Sequence, residues 1–281
     1  MKKIHLLPNI ITAFGLSCGL FVIFKMNMVG LGQVDQQVLT YTALILLLAV
    51  FADLLDGAIA RAIKMESDFG GFFDSFADAI TFGVGPSVIV LKTFSIESGT
   101  ELSFLLTSSV MVYSVCGVLR LVRYNVASLL AKGDMDLIAS HKKNFTGLPI
   151  PAAAAAAVSV NLFLISGEFR RMVTISEDMR TWAMFGVMIF LGYLMVCRLK
   201  FPNLKTLRLR VGSFRLVFLT VIIAVLIFYG ILHHFAVVFC TISWFYITVA
   251  LVLSMIRIIS GKKSKTLEDY EPEPDDFDWV D

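Results

Sequence analysis

The chain of 281 residues is poor in charge: 16% of its residues are charged, whereas 57% are hydrophobic. A soluble domain carries about a quarter charged residues, so this composition argues against an ordinary soluble fold. The four cysteines stand far apart inside apolar runs, without CxxC or Cys/His spacing, so neither a zinc site nor a redox pair is expected. The net charge of only +2 gives no reason to expect a nucleic-acid partner.

Long apolar runs fill most of the chain instead, and each is close to the roughly 20 residues with which a helix spans a bilayer. The runs are continuous, whereas the strands of a membrane barrel would be short and alternating. We therefore expect an all-α, polytopic helical bundle embedded in a lipid bilayer, with about eight transmembrane helices. The candidate spans are 9–29, 40–62, 70–91, 103–122, 148–166, 181–198, 214–232 and 235–257.

The placement of lysine and arginine predicts the orientation of these spans. Most of the 24 basic residues fall on one side if the N-terminus is cytoplasmic, so both termini and the turn after the second span are expected there. The start, Met1-Lys2-Lys3 and an apolar run, lacks a convincing cleavage site, which predicts an uncleaved first helix. Together these features suit a bacterial inner membrane.

The composition changes at Gly261, which divides an integral membrane domain, 1–260, from a tail, 261–281. The tail begins with three lysines and continues with eight acidic residues and two prolines, so a disordered cytoplasmic segment is expected. Its lysines are placed to meet anionic headgroups, although a purely topological role explains them equally well.

Four aspartates lie beside or within the apolar runs, in two pairs: Asp53 with Asp56, and Asp74 with Asp78. Ionisable side chains are costly at membrane depth, so their presence there indicates function. The turn between the pairs is short and polar, which predicts antiparallel neighbouring helices with converging acidic faces. Carboxylate oxygens suit hard cations such as Mg²⁺, Mn²⁺ or Ca²⁺. Four of them could hold two ions, and a two-ion site supports in-line displacement at phosphorus.

Small residues and an arginine share the faces of these acids. At about 100° per residue, Gly57, Ala60 and Arg61 fall in one arc with the first pair, and Gly70 shares the face of the second. The small side chains allow a ligand to approach the backbone, and Arg61 is placed to grip phosphate oxygens. Close helix packing would explain the small residues alone, and a proton relay would explain the acids alone.

The complete pattern, DxxDGxxAR, eight residues, then GxxxDxxxD, resembles the signature of the CDP-alcohol phosphatidyltransferases, with every fixed position present. Three further stretches are similar to the phosphatidylserine synthase branch of that family, namely 74–86, 120–126 and 145–152. In the first of these, Thr81 stands for the usual serine and keeps the hydroxyl. The stretch 7–12 resembles the amphipathic lead into the first helix that members of the family share.

The resemblance implies transfer of a phosphatidyl group from CDP-diacylglycerol to L-serine, with phosphatidylserine and CMP as products. It also implies a divalent cofactor, Mg²⁺ or Mn²⁺ in two sites, and a homodimer. Asp53, Asp56 and Asp74 would bind the metals, and Asp78 would complete the second site and act as the base for the serine hydroxyl. A metal-bound carboxylate is a weak base, so metal-assisted deprotonation would share that task.

The same resemblance assigns the two substrate sites. Residues implied for the CDP site are Gly57, Ala60, Arg61 and Gly70, with Asn9 and Thr12 as further candidates. Phe14-Gly15 replaces an asparagine often found near this point, which leaves nucleotide contacts there open. A cation is needed for the carboxylate of the serine acceptor, and the candidates are Arg120 and Arg123, with Asn125 as a neutral partner. Positive-inside topology is the competing explanation for the two arginines.

Other functions compete with this one. The same chemistry could serve another acceptor, such as glycerol 3-phosphate or inositol phosphate, but those acceptors should need a denser basic pocket. A cation- or proton-coupled transporter would use intramembrane acids, yet transporters often have repeated halves, and the acidic pair is not repeated in the second half of the chain. A catalytically silent scaffold predicts the loss of a motif residue, and none is missing.

Overall fold

The computed structural model describes residues 6–30, 33–63, 68–94, 99–130, 144–173, 175–197, 199–202 and 229–259. The expected tail, 261–281, and most of the candidate span 214–232 lie outside these residues.

The described chain is built almost entirely of helices. The helices are α1 (Leu6–Met28), α2 (Gln36–Ile63), α3 (Asp68–Asp78), α4 (Gly85–Thr93), α5 (Glu101–Leu130), α6 (Ile150–Ile165), α7 (Gly167–Met172), α8 (Glu177–Val196) and α9 (Phe235–Ile259). A π-helical turn, Ala79–Val84, joins α3 to α4. A short antiparallel ribbon pairs β1 (Asn144–Thr146) with β2 (Lys200–Pro202).

Within the described residues, six helical segments are long and apolar enough to cross a bilayer. They are Pro8–Met28, Gln36–Ala60, Phe69–Thr93, Glu101–Val126, Glu177–Val196 and Phe235–Ile256. Each corresponds to a span expected from the sequence, so the all-α polytopic class is confirmed and the protein is an integral membrane protein. The number eight stays a prediction.

The expected span 148–166 corresponds to α6, which has 16 residues, fewer than the roughly 20 that cross a bilayer. α6 contacts α2, α4, α8 and α9 and therefore lies in the middle of the bundle. Its run of alanines allows this, because small side chains let neighbouring helices approach closely. Ala153, Ala154, Ala156 and Ala157 are all buried.

The ribbon fixes the start of α6 against the end of α8. The Gly147 N–H donates to the Leu199 carbonyl at 2.9 Å, and the Leu148 N–H donates to the Leu194 carbonyl at 2.9 Å. Gly147 has φ +82°, a left-handed conformation that favours glycine, and a Cβ there would collide with the Met195 carbonyl. The sequence did not predict this pairing, because its strands are three residues long and far apart in the chain.

The third span is continuous but not uniformly α-helical, because the π-helical turn begins directly after Asp78. Pro86, in the first turn of α4, has no N–H and therefore cannot bond the Phe82 carbonyl four residues earlier. The hydroxyl of the fully buried Tyr113 on α5 donates to that carbonyl at 3.0 Å. Turns of this type occur frequently at functional sites, and this one is held in place by α5.

Candidate active site

Three of the four aspartates come together. Asp53 and Asp56 lie one turn apart on α2, Asp74 lies on α3, and a carboxylate oxygen from each is within 4.8 Å of the other two. Asp56 is buried, and the other two are half-buried. The acidic faces of the two spans therefore meet, as the spacing of the acids indicated.

α1 forms a third side of the site, from which the sequence had suggested Asn9 and Thr12 as nucleotide contacts. α1 packs along α2 and also contacts α3, the π-helical turn and α4. The Thr12 hydroxyl donates to Asp56 Oδ2 at 2.6 Å, and the Pro8 carbonyl lies 3.1 Å from the same hydroxyl. Thr12, expected as a nucleotide contact, is thus a direct partner of a candidate metal ligand.

The three helices and the π-helical turn enclose a pocket, called the acidic pocket below. All four aspartates line this pocket. The Asp78 carboxylate interacts electrostatically with those of Asp53 and Asp74. The residues that line it are Thr12, Gly15, Leu16, Ala49, Asp53, Asp56, Asp74, Ala77, Asp78, Thr81 and Phe82.

The donor set of this pocket fits a hard divalent cation. Converging carboxylates repel one another unless positive charge lies between them, and carboxylate oxygens are the ligands that Mg²⁺ and Mn²⁺ prefer. The Thr12 hydroxyl supplies the hydrogen bond that commonly orients a ligating carboxylate from the outer shell. Asp53, Asp56 and Asp74 are therefore the residues that could hold such an ion.

Of the residues expected at the CDP site, Thr12 lines the acidic pocket, whereas the other described ones are outside its lining and lie near it along their helices. Gly57 and Ala60 follow Asp56 on α2, and Gly70 precedes Asp74 on α3. Asn9 lies one turn before Thr12 on α1. Arg61 is in the last turn of α2, and its side chain lies outside the described part of the chain.

The residues expected at the acceptor site separate into different environments on α5. The half-buried Arg120 is in range of the charge of Asp78, and its Nε is buried without a hydrogen-bond partner among the described residues. Arg123 is exposed and donates from Nη1 to the Val196 carbonyl at 3.0 Å. Asn125 accepts a hydrogen bond from the Ser75 hydroxyl at 3.2 Å. Arg120 is thus the candidate whose charge interacts with one of the four acids, Asp78.

Sequence reasoning missed Gly15 as part of the wall that α1 supplies to the pocket. Gly15 lines the pocket, and a Cβ there would lie 3.6 Å from the Ala52 Cβ, so α1 and α2 meet closely at this point. Gly15 and Gly19 are four residues apart and share a helix face, and this spacing was the available signal.

A helical bundle that spans a bilayer and gathers carboxylates from two helices around one pocket defines an integral membrane protein with a candidate divalent-metal site. Its sequence matches the family model for CDP-alcohol phosphatidyltransferase over residues 5–197, which is more than half of the chain. The protein belongs to the CDP-alcohol phosphatidyltransferase family.

Individual relatives agree with this assignment. The chain is 26% identical over 262 residues to a CDP-diacylglycerol–serine O-phosphatidyltransferase of Helicobacter pylori, covering 93% of this chain and 98% of the relative. It is 30% identical over 199 residues to the protein of the same name from Bacillus subtilis, covering 71% and 91%. An archaetidylserine synthase of Methanothermobacter thermautotrophicus is 33% identical over 167 residues, covering 59% of each chain.

Proposed function

We propose that the protein transfers the phosphatidyl group of CDP-diacylglycerol to the hydroxyl of L-serine, forming phosphatidylserine and CMP. The observation that carries this proposal is the meeting of Asp53, Asp56 and Asp74 within 4.8 Å, in a chain with the complete family signature. Serine occurs in the names of the bacterial relatives and of the archaeal relative, which supports serine as the acceptor.

The acidic pocket would hold the cofactor. Asp53, Asp56 and Asp74 would bind Mg²⁺ or Mn²⁺, and Asp78 would complete a site for a second ion. The bound cations would neutralise the diphosphate and stabilise the attacking and leaving oxygens. The chain itself contributes the fixed positions of the carboxylates, because α1 braces Asp56 through Thr12.

In the net reaction, a bond forms between the serine hydroxyl oxygen and the phosphorus that carries the diacylglycerol. The bond from that phosphorus to the bridging oxygen breaks, and CMP leaves with that oxygen and its electron pair. The Asp78 carboxylate takes the hydroxyl proton. Asp78 lines the same pocket as the three clustered carboxylates, which supports this role.

Arg120 is the residue best placed to bind the carboxylate of the acceptor. It faces Asp78 from α5, and its buried Nε has no hydrogen-bond partner among the described residues. Arg123 would have a supporting role, since it already bonds the C-terminal end of α8. Asn125 would orient α3 through Ser75.

The nucleotide would lie at the other end of the acidic pocket, near the start of α1, the end of α2 and the start of α3. Gly57, Ala60 and Gly70 provide backbone without bulky side chains there, and Arg61 and Asn9 would supply polar contacts. This placement would put the phosphates beside the acids and the acyl chains beside three exposed phenylalanines of α3, Phe69, Phe72 and Phe76.

The positive-inside distribution supports an active site and both termini on the cytoplasmic side, in a bacterial inner membrane. Residues 1–260 would form the catalytic domain, residues 261–281 a cytoplasmic tail, and two copies a homodimer.

The deciding experiment is CMP release by the purified protein with CDP-diacylglycerol and one alcohol at a time: L-serine, glycerol 3-phosphate or inositol phosphate. The proposal expects release with serine alone. Equal release with glycerol 3-phosphate would contradict serine as the specific acceptor, but it would still support phosphatidyl transfer as the reaction. No release with any of these alcohols, in the presence of Mg²⁺ or Mn²⁺, would overturn the proposed function itself.

A further inference from the structure

Thr81 is one of the two hydroxyl-bearing residues that line the acidic pocket. The residue lies in the π-helical turn, three residues beyond Asp78, and lines the pocket together with the four aspartates. Only 2% of Thr81 is exposed, and its Oγ1 is buried without a hydrogen-bond partner among the described residues. A buried hydroxyl normally finds a partner, since leaving it unpaired costs about 1–3 kcal/mol. Its position therefore needs an explanation.

The other hydroxyl of the pocket is already engaged. Thr12 has one hydroxyl proton and directs it to Asp56 Oδ2. The aspartates, when ionised, can only accept hydrogen bonds. Among the residues lining the pocket, Thr81 therefore has the side-chain donor that remains for a ligand.

Two neighbouring helices hold Thr81 in this position. On one side its Oγ1 lies against Gly19 of α1, so closely that a Cβ on Gly19 would collide with this oxygen and would lie 2.8 Å from the Thr81 Cα. On the other side, Tyr113 and Ser114 of α5 donate to the carbonyls of Phe82 and Gly83, each at 3.0 Å. These bonds supply donors to two carbonyls of the turn, and the Thr81 hydroxyl takes part in neither.

The position of Thr81 along the pocket indicates which ligand it meets. Gly70, at the proposed nucleotide end, is 11 residues away, which is about 16 Å along a helix. Asp78 is three residues away and lines the same pocket. In the proposed function, the group beside Asp78 is the hydroxyl of the acceptor, whose oxygen can accept one hydrogen bond while it gives its own proton to Asp78.

We propose that the Thr81 hydroxyl binds the acceptor alcohol, donating a hydrogen bond to the oxygen that Asp78 deprotonates. This inference rests on the proposed function and adds a specificity-determining residue to it. Two hydrogen bonds, one to each residue, orient the alcohol so that a remaining lone pair points at phosphorus, which is a requirement of in-line attack.

The test compares Thr81→Val, which keeps the shape and loses the hydroxyl, with Thr81→Ser, which keeps the hydroxyl and loses a methyl group. CMP release is measured with the full-length protein while serine and CDP-diacylglycerol are varied separately. We expect Thr81→Val to lower kcat/KM for serine about tenfold, the effect of one lost hydrogen bond, and to leave the KM for CDP-diacylglycerol within about twofold of wild type. Thr81→Ser should retain most of the activity.

Three results would overturn the inference: wild-type kcat/KM for serine in Thr81→Val, an equal loss in Thr81→Ser, or a loss confined to the KM for CDP-diacylglycerol. Thermal unfolding in detergent identifies a misfolded variant, and Thr81→Ala, which cannot crowd Gly19, then replaces Thr81→Val. If the wild type releases CMP with a different alcohol, the same comparison is made with that alcohol. Absence of release with every alcohol overturns the proposed function together with this inference.

Discussion

The hydroxyl of Thr12 on α1 donates a hydrogen bond of 2.6 Å to Oδ2 of Asp56 on α2, 44 residues further along the chain. Asp56 is 4% exposed, and its carboxylate oxygen lies within 4.8 Å of those of Asp53 and Asp74. The acidic cluster is therefore fixed by a helix that contributes no acid to it. Outer-shell partners of this kind orient metal ligands, and changing them commonly costs 10–100-fold in metal affinity or activity.

The first prediction concerns this bond. Thr12→Val keeps the side-chain volume and removes the donor, so the Asp56 carboxylate loses its orientation. We expect the Mg²⁺ concentration for half-maximal CMP release to rise about tenfold or more, with little change at saturating metal. Thr12→Ser should behave as wild type, and Thr248→Val, on an exposed face of α9, should have no effect. An unchanged metal requirement in Thr12→Val would show that the bond does not support metal binding.

The second prediction is that metal removal stops the reaction. Exhaustive EDTA treatment should abolish CMP release, because the clustered carboxylates repel one another and cannot hold a diphosphate without cations. Added Mg²⁺ or Mn²⁺ should restore it in the wild type, whereas Asp56→Asn should stay inactive at any concentration that restores the wild type. Activity that survives EDTA would exclude a role for divalent ions.

The third prediction concerns the proposed base. Asp78→Asn retains the shape of the side chain and cannot take a proton, so turnover should fall by about 10²–10⁴-fold, the usual contribution of general base catalysis. The matched control is Asp178→Asn, an exposed acid in the first turn of α8, which should retain full activity. Normal thermal unfolding in detergent establishes that the variant is folded. Full activity of folded Asp78→Asn would remove the residue from the mechanism.

The sequence predicted those parts of the fold that depend on local composition. Apolar runs located six spans, and the spacing of Asp53, Asp56 and Asp74 indicated that their faces converge. The length of α6 was predicted less well. A helix buried in the middle of a bundle and a helix that crosses a bilayer can have the same apolar composition.

The parts of the site that depend on contacts between distant segments could not be predicted. The partner of Thr12 is 44 residues away, and the different environments of Arg120 and Arg123 depend on how α5 faces α3 and α8. One local signal was available and was not used: Pro86 marks the point at which the helix after Asp78 must change its hydrogen bonding.

The fourth prediction tests the close approach of α1 to the π-helical turn. Gly19→Ala would normally favour a helix by about 1 kcal/mol, but here the new Cβ would lie 2.7 Å from the Thr81 Cβ. We expect a net destabilisation of about 1–3 kcal/mol from overpacking, with lower activity because Thr81 is displaced. Gly186→Ala on α8 is the control, since a Cβ there meets nothing within 4 Å. A Gly19→Ala protein as stable and active as Gly186→Ala would contradict this packing.

The fifth prediction concerns Tyr113, the largest fully buried side chain of the described bundle. Tyr113→Phe removes the donor to the Phe82 carbonyl, which Pro86 cannot replace because it has no N–H. The loss of this hydrogen bond should cost about 0.5–1.5 kcal/mol and loosen the turn that positions Asp78 and Thr81. Thermal unfolding and CMP release should therefore both decline, whereas Tyr193→Phe, on an exposed face of α8, should change neither. Stability loss without any loss of turnover would mean that the turn supports the bundle and not the reaction, since a loosened turn must displace the two side chains that meet the acceptor.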